Sequence, residues 1–84
     1  MLSKVPTLTP MIEENVIAAF DMLHKRGICH GDIRAPNVLV KDDNSVVIID
    51  FERSCVNANR MMVIEEEDEV RHMLNSARMK RGTR

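Results

Sequence analysis

Apolar residues recur at three- and four-residue steps at Ile12, Val16, Ala19, Phe20 and Leu23, the spacing that places one stripe along one side of a helix. Thr9-Pro10 supplies a capping hydroxyl and a proline suited to the first turn. Glu13-Glu14 set acid near the positive end of the helix dipole, and Lys25-Arg26 followed by Gly27 close the run. The pattern predicts a helix over 10–26. The period then changes. Val38-Leu39-Val40 and Val46-Val47-Ile48-Ile49 flank the polar segment Lys41-Asp42-Asp43-Asn44-Ser45, which predicts an antiparallel hairpin. Val38, Val40 and Ile49, or their alternate neighbours, are expected to face Phe20 and Leu23, because alternation buries only one set. Helical spacing returns at Val63, Val70, Met73, Leu74 and Ala77 and predicts a second helix.

The expected fold class is therefore α+β: a long helix, a loop, a two-stranded antiparallel hairpin and a second helix. Residues 1–9 read as an extended N-terminal segment, 10–54 as the core, 55–59 as a connector, 60–80 as an amphipathic helix and 81–84 as a basic tail.

Polar residues at the strand ends carry the candidate chemistry. Moving the terminal phosphoryl group of a nucleotide needs a carboxylate to orient the accepting hydroxyl and oxygen ligands to hold Mg²⁺ against the phosphates. Asp32, Asn37 and Asp50 are such groups. One strand begins just after Asn37 and the other ends just before Asp50, so the hairpin brings these two residues to the same open end. An Asp or Asn beside a strand is most often a turn former, and it is the joint spacing of the three that points to a site.

The segment His30-Gly31-Asp32-Ile33-Arg34-Ala35-Pro36-Asn37 with Asp50-Phe51-Glu52 resembles the catalytic loop and metal-binding motif of protein kinases and the related aminoglycoside-phosphotransferase-like enzymes, His-x-Asp-x-x-x-x-Asn and Asp-Phe-Gly. The wording His-Gly-Asp-Ile-Arg with Asp-Phe-Glu-Arg-Ser is most similar to fungal protein-kinase-like proteins. The resemblance covers about half the chain, from Ile12 to Ser54, and implies part of a kinase-like C-terminal lobe. It implies Asp32 as catalytic base and Arg34 as the residue that steadies the transferred phosphate. Asn37 and Asp50 would be ligands of Mg²⁺ and its ATP, and His30 and Phe51 structural parts of the loop. An unknown phosphate acceptor would complete the reaction.

Two departures qualify this. Gly31 stands where the family has the arginine of His-Arg-Asp, so control by loop phosphorylation is not implied. Glu52 replaces the glycine of Asp-Phe-Gly, which adds either a further ligand or a solvated charge.

Length and composition narrow the picture further. Eighty-four residues make one small domain with a thin stability margin. Gly27, Gly31 and Gly82 are the only glycines, so no glycine-rich phosphate loop is present. A truncated form lacking the nucleotide lobe is expected, inactive on its own, with a separate partner as one possible source of that lobe. No run approaches a membrane span or a signal-peptide core. An intracellular, cytoplasmic protein is expected. The net charge of −1 and the absence of Tyr and Trp offer neither field nor stacking platform for nucleic acid.

Cys29 and Cys55 are too few and too unpatterned for a metal site or a disulfide framework, and Cys29 reads as a small buried side chain. His24 reads as a solvated or helix-terminal histidine. The five acids Glu65-Glu66-Glu67-Asp68-Glu69 read as a solvated face. With acid early and base late, in Arg78, Lys80, Arg81 and Arg84, the second helix suits its dipole. Two alternatives to the phosphotransferase remain: a non-catalytic kinase-derived fragment or module, and an interaction protein whose acidic second helix meets a basic partner.

Overall fold

A computed structural model describes the backbone from Leu8 to Gly82 and the side chains from Leu8 to Ala77. Of the expected extended segment over 1–9, only Leu8 and Thr9 fall within it. The basic tail and the late bases of the second helix lie outside the described side chains.

Helix α1 spans Pro10–Lys25. The Thr9 hydroxyl accepts the Ile12 N–H at 3.2 Å, satisfying one of the amide groups that a helix start leaves orphaned. At the other end Arg26 caps the helix by donating to the Leu23 carbonyl. Gly27 then turns the chain at φ +74°, a left-handed conformation that glycine adopts without a Cβ penalty. Ile12, Val16 and Phe20 are buried along the expected stripe.

The chain next forms one isolated antiparallel bridge between Cys29 and Cys55, which exchange both N–H···O bonds at 3.0 and 2.9 Å. A short 3₁₀ turn over Ala35–Asn37 leads into strand β1, Val38–Val40. Strand β2 is Val46–Ile48. They pair antiparallel with Val38 opposite Ile48 and Val40 opposite Val46. The turn between them is shaped by Asp43, whose carboxylate accepts the Ser45 hydroxyl at 2.6 Å and its N–H at 3.0 Å; these bonds hold the Asp43 carboxyl below its ordinary range. Asn44 sits at φ +70°, where a short amide side chain is tolerated.

This register settles which strand residues face the core. Val38 is buried, and Val40, Val46 and Ile48 pack on the same cluster. Ile49 is exposed, contrary to its grouping with Val38 and Val40: Ile48 is the partner of Val38, so the next residue points to the opposite face.

Helix α2 spans Arg60–Gly82, with the Asn59 side chain accepting the Met62 N–H at 2.9 Å. Val70, Met73 and Leu74 close the core against α1 and Val38. No acid lies in the first turn of α2; the acidic run begins one turn later, so its contribution to the dipole is smaller than the sequence suggested. The described chain is thus α+β, two helices around a two-stranded antiparallel hairpin. Among the described residues, no helix is long and apolar enough to cross a membrane.

Candidate functional site

The loop that carries the site runs from the Cys29 bridge to the start of β1, and polar groups hold it from two sides. On the inner side His30 is fully buried. Its ring touches Phe20 edge-on at 6.3 Å and Phe51 at 4.9 Å between centroids. The ring nitrogens have distinct duties. Nε2 lies 2.8 Å from the Ile49 carbonyl, an acceptor only, so Nε2 carries the proton; Nδ1 then accepts the Asp32 N–H at 3.2 Å. One imidazole in this way ties the end of β2 to the residue that carries the first carboxylate.

On the outer side Asp32 and Asn37 meet directly. The Asn37 amide nitrogen donates to the Asp32 main-chain carbonyl at 3.0 Å and to Asp32 Oδ2 at 3.2 Å. Arg34 takes the same carboxylate with two donors, Nε to Oδ1 at 3.0 Å and Nη2 to Oδ2 at 3.3 Å. Partial burial pushes the Asp32 pKa up, but the hydrogen bond and charge of Arg34, the Asn37 amide and the charge of Arg53 outweigh it. The net result is a carboxyl below the ordinary aspartate range.

Asp50 follows β2. The Ile49 N–H donates to the Asn37 carbonyl at 2.9 Å, so the residue before Asp50 is bonded to the main chain of Asn37. Asp50 is exposed and sits at φ +65°, a left-handed conformation that costs a non-glycine residue about 1 kcal/mol or more and that aspartate tolerates better than most. Asn37 is buried, with its nitrogen committed to Asp32, which leaves its amide oxygen as the end suited to a hard cation. Glu52 is exposed.

The sequence reading missed the groups beneath the loop. Glu66, counted within a solvated acidic face, is 3% exposed. Its Oε1 accepts the His30 N–H at 2.9 Å and lies 2.7 Å from His24 Nε2, while Oε2 accepts the Gly31 N–H at 2.9 Å. His24 is in the last turn of α1, yet buried rather than solvated. The signal was available: Val63, Glu66, Val70, Met73 and Leu74 are spaced at three and four, so Glu66 stands on the apolar stripe, unlike its acidic neighbours. A carboxylate there must find donors, because an unpaired buried charge is prohibitive.

Gly31 has a steric reason as well. It lies at φ +89°, and a Cβ built on it would run into the carbonyl group of Arg53. Cys29 is buried, as expected, and burial together with the charges of Glu66, Cys55 and Glu69 pushes its thiol pKa up to about 11.

Residues 4–58 match a family described as APH, the phosphotransferase enzyme family, a span that includes both motifs. The chain belongs to this phosphotransferase family. It is also 34% identical over 53 residues to Phototropin-1A and to Phototropin-1B of Oryza sativa subsp. japonica. Those matches take in 63% of this chain and 6% of each relative, so the chain corresponds to a small part of them. No solved structure gives a significant match. Within the phosphotransferase chain the matched span contains α1, the loop and the hairpin, whereas Glu66 lies beyond it on α2.

Proposed function

We propose that this chain carries the catalytic-loop core of an ATP- and Mg²⁺-dependent phosphotransferase of protein-kinase type, nearest to the fungal protein-kinase-like group. The observation that carries the reading is the bonding of Asn37 to Asp32 through its side chain and to Ile49 through its carbonyl. That one asparagine gathers the two motif segments at the open end of the hairpin. Asp32 would act on the acceptor hydroxyl, and the Asp50 carboxylate and Asn37 amide oxygen would hold Mg²⁺, an all-oxygen donor set of the kind that ion takes. Arg34 would exchange its Asp32 partner for a phosphate, which a guanidinium meets with two donors. The metal's contribution is to neutralise charge on the phosphates as the group transfers. His30 and Phe51 would brace the loop. The acceptor, protein or small molecule, enters as a second substrate.

These 84 residues contain no glycine-rich loop, and phosphoryl transfer depends on positioning and electrostatics supplied from all sides of the nucleotide. Mg·ATP binding by this chain is accordingly weak, in the millimolar class, about −4 kcal/mol. The second reading, a non-catalytic member of the family, is favoured by one observation: Arg34 engages both Asp32 oxygens.

Calorimetry of Mg·ATP binding separates the two. Asp50→Ala is expected to abolish the Mg²⁺-dependent part of binding, while Asp32→Ala leaves it nearly intact, because Asp50 holds the ground-state metal and Asp32 acts during transfer. If both variants bind Mg·ATP as the wild type does, the non-catalytic reading replaces the enzymatic one.

A further inference from the structure

His24, Cys29 and Glu66 come from the last turn of α1, the isolated bridge and the interior stripe of α2, and a ligating atom of each lies within 4.8 Å of the other two. All three are buried. The phosphotransferase reading gives Cys29 no role. The second ring nitrogen of His24, Nδ1, is buried and has no hydrogen-bond partner among the described residues, so no second bond pins the imidazole in place.

We propose that these three residues form a binding site for a thiophilic divalent cation of the Zn²⁺ class, behind the catalytic loop and separate from any Mg²⁺ on its front. Imidazole, thiolate and carboxylate are the ligand types Zn²⁺ takes. A dication with one thiolate and one carboxylate is electrically neutral, which removes the cost of a buried net charge. The ion takes the place of the proton between His24 Nε2 and Glu66 Oε1, 2.7 Å apart; that proton moves to the partnerless His24 Nδ1, so the imidazole stays neutral, and the Cys29 thiol proton leaves to solvent as the Zn–S bond forms. Ligands on one tetrahedral Zn²⁺, at about 2.0 to 2.3 Å from the metal, lie roughly 3.2 to 3.8 Å from one another. The His24–Glu66 pair therefore opens by a few tenths of an ångström and Cys29 closes by about 1 Å or less. Glu66 keeps its Oε2 bond to Gly31. A cleft of about 260 Å³ between the helices, lined by His24, Phe20, Val70 and Leu74, leads to the imidazole. Hard Mg²⁺ and Ca²⁺ bind a thiolate site poorly. Bound metal would staple α1, the bridge and α2 together, the reinforcement that domains this small often need.

The test is a Co²⁺ titration of the full reduced chain, read by absorption. The expected result is an intense thiolate-to-metal band that saturates at one equivalent, is discharged by Zn²⁺ and not by excess Mg²⁺, and persists in Cys55→Ser, where Cys29 is the remaining cysteine. The band should vanish in Cys29→Ser. Zn²⁺ should also raise the melting temperature of the wild type. Absence of the band in the wild type, or its loss in Cys55→Ser with the fold intact by circular dichroism, overturns the site. Neither result bears on Mg·ATP binding, so the two proposals fail separately.

Discussion

The two faces of the loop from His30 to Asn37 are built on opposite principles. The front carries Asp32, Arg34 and Asp50 on half-buried or exposed positions, and the ion pair between Asp32 and Arg34 is one that water can reach. The back carries His30, His24 and Glu66, all buried, with Glu66 holding two main-chain N–H groups at once. Exposed ion pairs contribute about 0 to 1 kcal/mol, whereas removing one partner of a buried polar pair costs about 3 to 5 kcal/mol. The back therefore holds the loop's shape, and the front is left free to exchange partners.

The sharpest way to break this comparison is Glu66→Ala against Glu65→Ala. Loss of Glu66 strands the His30 and Gly31 N–H groups and is expected to cost about 1 to 3 kcal/mol for each, enough to unfold a chain of this size in a thermal or urea melt. Glu65, exposed on the same acidic run, should change stability by about 0.5 kcal/mol or less. Equal effects would mean that the two faces do not differ.

On the front the expected losses are in binding rather than folding. Asp50→Gly should leave the melting temperature no lower, since glycine accepts φ +65° without strain, yet it should remove Mg²⁺-dependent ATP binding. A large fall in melting temperature would show that Asp50 belongs energetically to the back.

Thiol reactivity reads burial along the Cys29–Cys55 bridge more gently. At pH 8 in metal-free buffer, iodoacetamide should modify half-buried Cys55 before buried Cys29, whose pKa near 11 leaves little thiolate. Peptide mapping by mass spectrometry reads the order.

The smallest effect concerns acid. The Asp32 pKa is lowered in the folded chain, so its contribution to stability is present above the unfolded value of about 4 and is lost as pH falls through the folded value. In Arg34→Ala the Asp32 carboxyl should titrate at higher pH, measurable by NMR, and that acid loss should begin sooner.

The helices and the hairpin were legible because each is announced locally. Thr9-Pro10 and Gly27 bracket α1, and two β-branched runs bracket a polar turn. Ile49 went to the wrong face because strand alternation fixes sides only once the register is known, and register depends on which residue faces Val38. The motif residues were legible by spacing, although their roles rest on the family. The Cys29–Cys55 bridge was not, since a single pair 26 residues apart leaves no periodic trace. Glu66 was misjudged for a different reason. The acidic run was weighed as a block, when one of its five members occupies the apolar stripe of α2.

Gly31 carries a consequence for how such a chain can change. Its missing side chain is space already taken by the Arg53 carbonyl, so the loop and the segment after Asp50 are in register only while position 31 stays bare. An arginine there, as in His-Arg-Asp, would have to push the two segments apart, straining the Cys29–Cys55 bridge and the Gly31 bond to Glu66. A single substitution to arginine is thus closed off: the 51–54 segment must first move aside. Position 31 is locked by its neighbour's backbone, and any route to arginine there begins around Arg53.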